Sequence, residues 1–127
     1  MSETTVNVRY MVDNVEAATE WYVKHLGFSL LTNQAPAFAD VRLGSLRLLL
    51  SGPASSAGRP MPDGEQPRPG GWNRIHLVVD DLPAEVARLR AAGAQFRNDI
   101  VTGPGGSQVL LVDPSGNLVE LFQPARH

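Results

Sequence analysis

Apolar residues alternate with polar ones, or recur at helical spacing, in a fixed order along residues 6–51. The segment VNVRYMV (6–12) has the pattern of a strand. A helical pattern follows in DNVEAATEWYVKHLGF (13–28), with Asn14 in the N-cap position and Gly27 at its end. Three more strands are predicted at FSLLTN, AFADVRL and SLRLLLS, the last two joined by a tight turn at Gly44 and Ser45.

The same order of elements returns in the second half. NRIHLVV (73–79) is predicted to be a strand, and DDLPAEVARLRAAG (80–93) a helix with Asp81 as its N-cap and Gly93 at its end. The closing strands are predicted at AQFRNDIV, SQVLLV and NLVELFQ, with a DPSGN turn at 113–117. The repeat predicts an α+β chain of two tandem β-α-β-β-β modules.

The two modules are predicted at 5–51 and 72–124, within a single domain that spans residues 1–127. Between them, residues 52–71 form a loop without periodicity that is rich in proline and glycine. Loops of this length inside a compact domain cover a binding site or act as linkers. The sequence leaves open whether this loop covers a pocket or is a flexible connector.

Composition narrows the classes of function. A chain of 127 residues, 43% hydrophobic and 19% charged, is typical of a globular protein. Its net charge of −2 argues against nucleic-acid binding and against anionic membranes, and no apolar run is long enough to span a bilayer. Without cysteine there is no thiolate nucleophile and no Cys-ligated zinc. The first residues, MSETTVNV, lack the pattern of a signal peptide, so the expected location is cytoplasmic.

Two segments also carry a family resemblance. The helix segment VDNVEAATEWYVKHLGF and the ending DPSGNLVEL, together with the paired modules, resemble the vicinal oxygen chelate superfamily. That superfamily contains glyoxalases, extradiol dioxygenases, and fosfomycin- and bleomycin-resistance proteins. The resemblance covers nearly the whole chain. It implies a curled mixed sheet around a cleft and a homodimer that often shares strands between its two chains.

The resemblance also implies four metal-ligand positions. They fall here on Asn7, Leu48, Arg74 and Glu120, and only Glu120 keeps a typical ligand. A divalent ion needs about three or four donor atoms, leucine supplies none, and arginine only donates hydrogen bonds. We therefore expect no metal and no cofactor. A displaced metal site made by His76 with Glu120 and Asp40 is the open alternative.

Strand alternation predicts which side chains face the cleft. Arg74 and His76 are expected there because Ile75 and Leu77 form the apolar face of the same strand. Arg74 either pairs with Glu120, meets a ligand group, or extends to the cleft mouth; Trp72 either stacks on a ligand or packs beneath the loop. The predicted ligand-binding residues are Asn7, Arg9, Met11, Asp40, Arg42, Leu48, Leu50, Trp72, Arg74, His76, Glu120 and Phe122.

The favoured function is a metal-independent protein that binds and sequesters a bulky, partly aromatic antibiotic or natural product. Its ligand is a hydrophobic small molecule, since the predicted cleft is mostly apolar with a few polar groups. The alternative is a metal-free isomerase, lyase or cyclase, with Glu120 or His76 as the base and Arg74 stabilising an oxyanion. A metal-dependent glyoxalase- or dioxygenase-type enzyme is the third reading, which the lost ligand positions oppose.

Overall fold

Each half of the chain folds as a strand, a helix and a run of further strands. The computed structural model describes residues 4–126, which divide into an N-terminal unit ending at Pro69 and a C-terminal unit beginning at Gly70. The N-terminal unit contains β1 (Val8–Met11), α1 (Val15–Leu26), β2 (Ser29–Gln34), β3 (Phe38–Leu43) and β4 (Leu46–Ser51). The C-terminal unit contains β5 (Ile75–Val78), α2 (Leu82–Ala91), β6 (Gln95–Phe96), β7 (Val101–Gly103), β8 (Gly106–Val112) and β9 (Leu118–Pro124).

The N-terminal sheet has the strand order β1-β4-β3-β2 and packs one face against α1. β1 runs parallel to β4, and the other pairs are antiparallel. α1 begins where the Asn14 side chain accepts a hydrogen bond from the Ala17 amide, and it ends at Gly27, whose φ of 75° favours glycine. Tyr22 of α1 is fully buried against the sheet. Burial of this apolar face fixes the register of the strands.

The C-terminal sheet repeats this arrangement with the order β5-β9-β8-β6, while β7 also pairs with β8. β5 is parallel to β9. Leu82 and Leu89 of α2 are fully buried, and α2 packs on β9. The Asp81 side chain caps the helix by accepting from the Ala84 amide at 3.1 Å. Both units therefore use one mixed sheet and one helix to form a core.

The predicted α+β architecture and the repeated β-α-β-β-β order are confirmed, with one difference. The predicted strand at 94–101 is split into the short strands β6 and β7. Between them, the Asn98 side chain accepts a hydrogen bond from the Leu110 amide at 2.9 Å. A side-chain oxygen there takes the place of a backbone carbonyl, and the ladder is interrupted. Within residues 4–126 neither sheet closes into a barrel.

The proline- and glycine-rich segment has local structure of its own. A 3₁₀ turn at Ser56–Gly58 is capped by Ser55, whose hydroxyl donates to the Gly52 carbonyl oxygen at 2.6 Å. Further along, the Met61 amide donates to the Glu65 carbonyl oxygen at 2.7 Å. Residues 63–69 border a cavity of about 660 Å³ in the N-terminal unit. Whether this segment covers a ligand remains a prediction.

Neither of the two α-helices in the described part of the chain has the combined length and apolar character needed to cross a membrane.

Candidate functional site

The C-terminal sheet has a face opposite α2, which we call the site face. The register pairs His76 with Glu120 and Val78 with Phe122, so these four side chains lie on that face. Ile75 and its neighbours on the other face are buried against the helix. The predicted alternation along β5 is therefore confirmed.

Glu120 is the buried charge at the centre of the site face, with 8% of its side chain exposed. Its Oε1 atom accepts from Nε of Arg74 at 3.0 Å and lies 2.9 Å from Nη2 of the same guanidinium. Its Oε2 atom lies 3.5 Å from Nε2 of His76. The imidazole is half exposed and packs against Phe122, with ring centroids 4.9 Å apart. Of the three alternatives for Arg74, pairing with Glu120 is the one in the structure.

Arg74 also connects Glu120 to Trp72. Its Nη1 atom donates to the Trp72 carbonyl oxygen at 3.3 Å. Two residues earlier, the Gly70 amide donates to Oδ1 of Asn117 at 2.8 Å, and the Asn117 amide group donates to Asp113 at 3.1 Å. The buried Asn117 of the DPSGN turn thus anchors the chain that leads into β5. These contacts hold the backbone on both sides of Trp72.

The Trp72 side chain itself is largely exposed, at 64%. The Arg97 guanidinium carbon lies 5.5 Å from the Trp72 ring centroid, a cation–π arrangement. These two residues border a cavity of about 290 Å³, together with Val112 and Leu118. Trp72 therefore presents a largely exposed ring beside this cavity.

In the N-terminal unit a second cavity, of about 320 Å³, lies on the face opposite α1. Leu49 pairs with both Arg9 and Asp40 in the strand register, so the three side chains share this face. The buried Asp40 carboxylate forms an ion pair with Arg47. Asn7 also borders the cavity.

Two other predicted residues of this unit lie away from that cavity. Arg42 is exposed, and its Nε atom donates to the Gly44 carbonyl oxygen at 2.9 Å, which ties the guanidinium to the adjacent turn. Met11 borders the larger cavity beside residues 63–69. Their expected ligand contacts remain predictions.

The prediction that Leu48 and Leu50 face a cleft is wrong. Leu50 pairs with Tyr10, and both leucines are fully buried on the face covered by α1. The segment LRLLLS has leucines on both faces, but Arg47 and Ser51 mark the polar one. α1 covers the face that lacks polar residues, because a buried guanidinium would need a partner.

The register also corrects the first module's counterpart of Glu120. The Val12 amide donates to the Ser51 carbonyl oxygen, as the Val79 amide does to Phe122. Counting back two residues along β4 and β9 equates Leu49, not Leu48, with Glu120. The correction leaves the chemistry unchanged, because leucine has no donor atom in either place.

The residues at these positions do not fit a divalent metal ion. Oε1 of Glu120 already accepts both contacts from Arg74, and a guanidinium offers only donors and a positive charge. Asp40, which the displaced alternative would use as a ligand, forms an ion pair with Arg47 within the N-terminal unit. Residues 4–126 contain no group of three His, Cys, Asp or Glu side chains placed to hold a metal.

Four residues near these cavities were not among the predicted ligand-binding residues: Arg47, Leu49 and Arg97, which line them, and Asn117, which holds Gly70. Arg47 and Leu49 were detectable, because strict alternation in β4 places them with Ser51. Asn117 was assigned only to a turn, because its hydrogen-bond partner Gly70 lies far from it in the sequence, near the start of the C-terminal unit. Arg97 contacts Trp72 from a distant segment, and no local pattern marks such a contact.

The fold and the site can be compared with known proteins. A curated relative, "Putative glyoxylase CFP32" of Mycobacterium tuberculosis, is 31% identical over 113 residues, which are 87% of this chain and 42% of the relative. The chain thus spans less than half the length of that protein.

Among solved structures, a lactoylglutathione lyase from Agrobacterium tumefaciens superposes with a TM-score of 0.76 at 20% identity, covering 97% of this chain and 95% of that one. TnmS3 from Streptomyces sp. CB03234, described as an antibiotic binding protein, has a TM-score of 0.69 at 26% identity. That match covers 98% of this chain and all of TnmS3.

Residues 5–121 match the sequence profile of a single family, in agreement with the resemblance seen in the sequence. The match takes in both modules and runs through Glu120. This chain therefore belongs to the Glyoxalase/Bleomycin resistance protein/Dioxygenase superfamily.

Proposed function

We propose that the protein is a metal-independent binder that sequesters a bulky, partly aromatic antibiotic or natural product in the cytoplasm. The observation that carries the proposal is the ion pair between Arg74 and Glu120. It occupies the carboxylate that a metal enzyme of this superfamily would use as a ligand. Sequestration needs affinity but no chemistry, so it tolerates this replacement.

The rest of the site face suits recognition of an aromatic compound. Trp72 presents an exposed ring, and its backbone is held by Arg74. Phe122 and Leu118 add apolar surface on the same face. Small-molecule sites typically combine such apolar walls with a few oriented polar groups. Aromatic residues give large contact areas with few rotatable bonds, which limits the entropy lost on binding.

The comparisons include one protein with this kind of activity. TnmS3 is described as an antibiotic binding protein, and its identity of 26% extends over 98% of this chain. The superfamily also includes enzymes, so membership alone does not select between binding and catalysis. The replacement of the metal ligands in this chain favours binding.

One contact favours the alternative, a metal-free isomerase, lyase or cyclase. His76 is half exposed and lies 3.5 Å from Oε2 of Glu120, longer than a hydrogen bond but close enough for the contact between a base and its orienting group to tighten when substrate binds. Arg74 would then stabilise an oxyanion. Against this reading, Arg74 already donates to Glu120 and to the Trp72 carbonyl oxygen.

We also propose a homodimer with shared strands. In the strand orders seen within residues 4–126, β1 stands at one end of its sheet beside β4, and β5 stands at one end of its sheet beside β9. Edge strands offer unpaired backbone groups to a second chain. Sedimentation velocity at micromolar concentration should give a dimer, and a monomer would contradict this part of the proposal.

The function is tested by titrating the protein with a panel of aromatic antibiotics and recovering each compound afterwards. A binder holds one intact molecule per site and returns it unchanged. His76→Ala should weaken affinity by at most about 2 kcal/mol, the loss of one contact. Glu85→Ala, which removes a carboxylate from α2 of the same unit, is the control and should have no effect. Catalytic conversion of a compound that His76→Ala abolishes would replace this proposal with the enzyme.

A further inference from the structure

Two arginines of the C-terminal unit lie against aromatic rings, and they differ in their charged surroundings. The Arg90 guanidinium carbon is 4.5 Å from the Phe96 ring centroid, and Nη2 lies 3.4 Å from the Asp99 carboxylate. Arg97 lies over Trp72, and no carboxylate within residues 4–126 forms an ion pair with it. Within the described part of the chain, Arg97 is therefore a cation that no carboxylate compensates.

This cation borders the cavity of about 290 Å³ on the site face. Val112 and Leu118 pair across β8 and β9 and provide an apolar surface beside Trp72. A molecule in this cavity meets an aromatic ring, apolar side chains and one guanidinium. The chain as a whole carries a net charge of −2, so attraction for an anion is local to such a cation and does not come from the overall field.

We propose that Trp72 and Arg97 form a subsite for a planar aromatic anion. The ring of the ligand stacks on Trp72, and its acidic oxygen accepts hydrogen bonds from Arg97. A guanidinium matches a carboxylate geometrically, because its parallel N–H groups reach both oxygens. The inference rests on the proposed binding function and adds the charge and shape of the ligand.

The backbone around Trp72 is held in place by hydrogen bonds within the chain. Asn117 holds Gly70, and Arg74 holds the Trp72 carbonyl oxygen. A tryptophan with a fixed backbone loses less conformational freedom on binding than one on an unanchored loop. The Arg97 backbone is also held, since its amide donates to the Leu110 carbonyl oxygen at 2.8 Å.

The test uses the full chain, labelled with ¹⁵N, and two probes of nearly equal shape, 2-naphthoate and the neutral 2-naphthamide. Trp72 and Trp21 each contribute one indole N–H signal, assigned with Trp72→Phe. Naphthoate should shift the Trp72 signal and leave that of the half-buried Trp21 unchanged. It should bind about fivefold more tightly than naphthamide, the factor that about 1 kcal/mol from an exposed charge pair provides.

Arg97→Gln should abolish this preference, so that the two probes bind alike. Arg90→Gln removes the other ring-stacked arginine and should preserve the preference. Equal affinity of the two probes for the unaltered protein, or a preference that survives Arg97→Gln, would overturn the anionic subsite. A Trp72 signal that responds to neither probe would overturn it as well. The proposed binding function is tested separately, by whether the protein retains any compound of the antibiotic panel intact.

Discussion

Removing either partner of the Arg74–Glu120 pair tests whether Arg74 offsets the cost of burying the Glu120 carboxylate. Arg74→Met deletes the guanidinium but keeps much of the apolar side chain. Glu120→Gln removes the charge and keeps an oxygen that accepts hydrogen bonds. The double variant Arg74→Met/Glu120→Gln leaves a neutral amide in place of the ion pair. Each change acts on one of the two groups at the centre of the site face.

The expected losses of stability depend on how deeply the two charged groups are buried. Breaking a fully buried ion pair costs about 3–5 kcal/mol, whereas an exposed pair contributes about 0–1 kcal/mol. Glu120 is 8% exposed but Arg74 is 28% exposed, so this pair lies between those limits. Arg74→Met leaves a buried carboxylate and should cost about 2–3 kcal/mol. Glu120→Gln should cost about 1 kcal/mol, because its amide oxygen still accepts from Arg74.

Urea unfolding of the four proteins gives the coupling between the two positions. The double variant should be more stable than the sum of the single losses predicts, by about 1–2 kcal/mol, since each single change also removes the pair. Additive losses, with a coupling below about 0.3 kcal/mol, would refute the claim that Arg74 satisfies Glu120. The Glu85→Ala variant, combined with Arg74→Met, should show no coupling.

Three further changes test the surrounding structure by urea unfolding. Gly106→Ala should destabilise the protein by about 2 kcal/mol or more, because the added Cβ would lie 2.2 Å from a carbonyl oxygen of β9. Gly105→Ala places its Cβ in open space and should be nearly neutral. Equal urea midpoints for these two variants would contradict this. Asn117→Ala should cost about 2 kcal/mol by removing two hydrogen bonds of a buried amide, and an unchanged midpoint would show that they contribute nothing. Asp81→Ala should cost about 1 kcal/mol as the α2 cap is lost, whereas an equal loss in Asp80→Ala would point to charge and not capping.

Local patterns predicted most of the fold. The helix limits followed from Asn14, Gly27 and Asp81, because capping and termination are short-range effects. The split between β6 and β7 was not predictable, because it depends on Asn98 meeting Leu110 of another strand. A hydrogen bond from a backbone amide of one strand to a side chain of another cannot be predicted from the sequence of either strand alone.

The facing of side chains was predictable where one face of a strand was clearly polar. β5 has polar residues at alternate positions, so alternation indicated the face that His76 shares with Glu120, while its contact with a ligand stays a prediction. β4 has leucines on both faces, so its polar face was harder to identify. The family resemblance placed Leu48 at the site, whereas the polar residue Arg47 indicates that the opposite face is the polar one. The pairing of Arg74 with Glu120 was one of several alternatives in the sequence. Only the three-dimensional register brings the two side chains together.

Native mass spectrometry can show whether the protein holds an intact drug, a metal ion, or neither. The protein is purified without chelators, transferred to a volatile buffer, and measured alone and with a panel of aromatic and glycopeptide antibiotics. We expect a metal-free protein that carries a drug of unaltered mass, because Arg74 occupies the carboxylate of Glu120. A stoichiometric divalent ion that is lost in Glu120→Gln, or a ligand released with a changed mass, would contradict it.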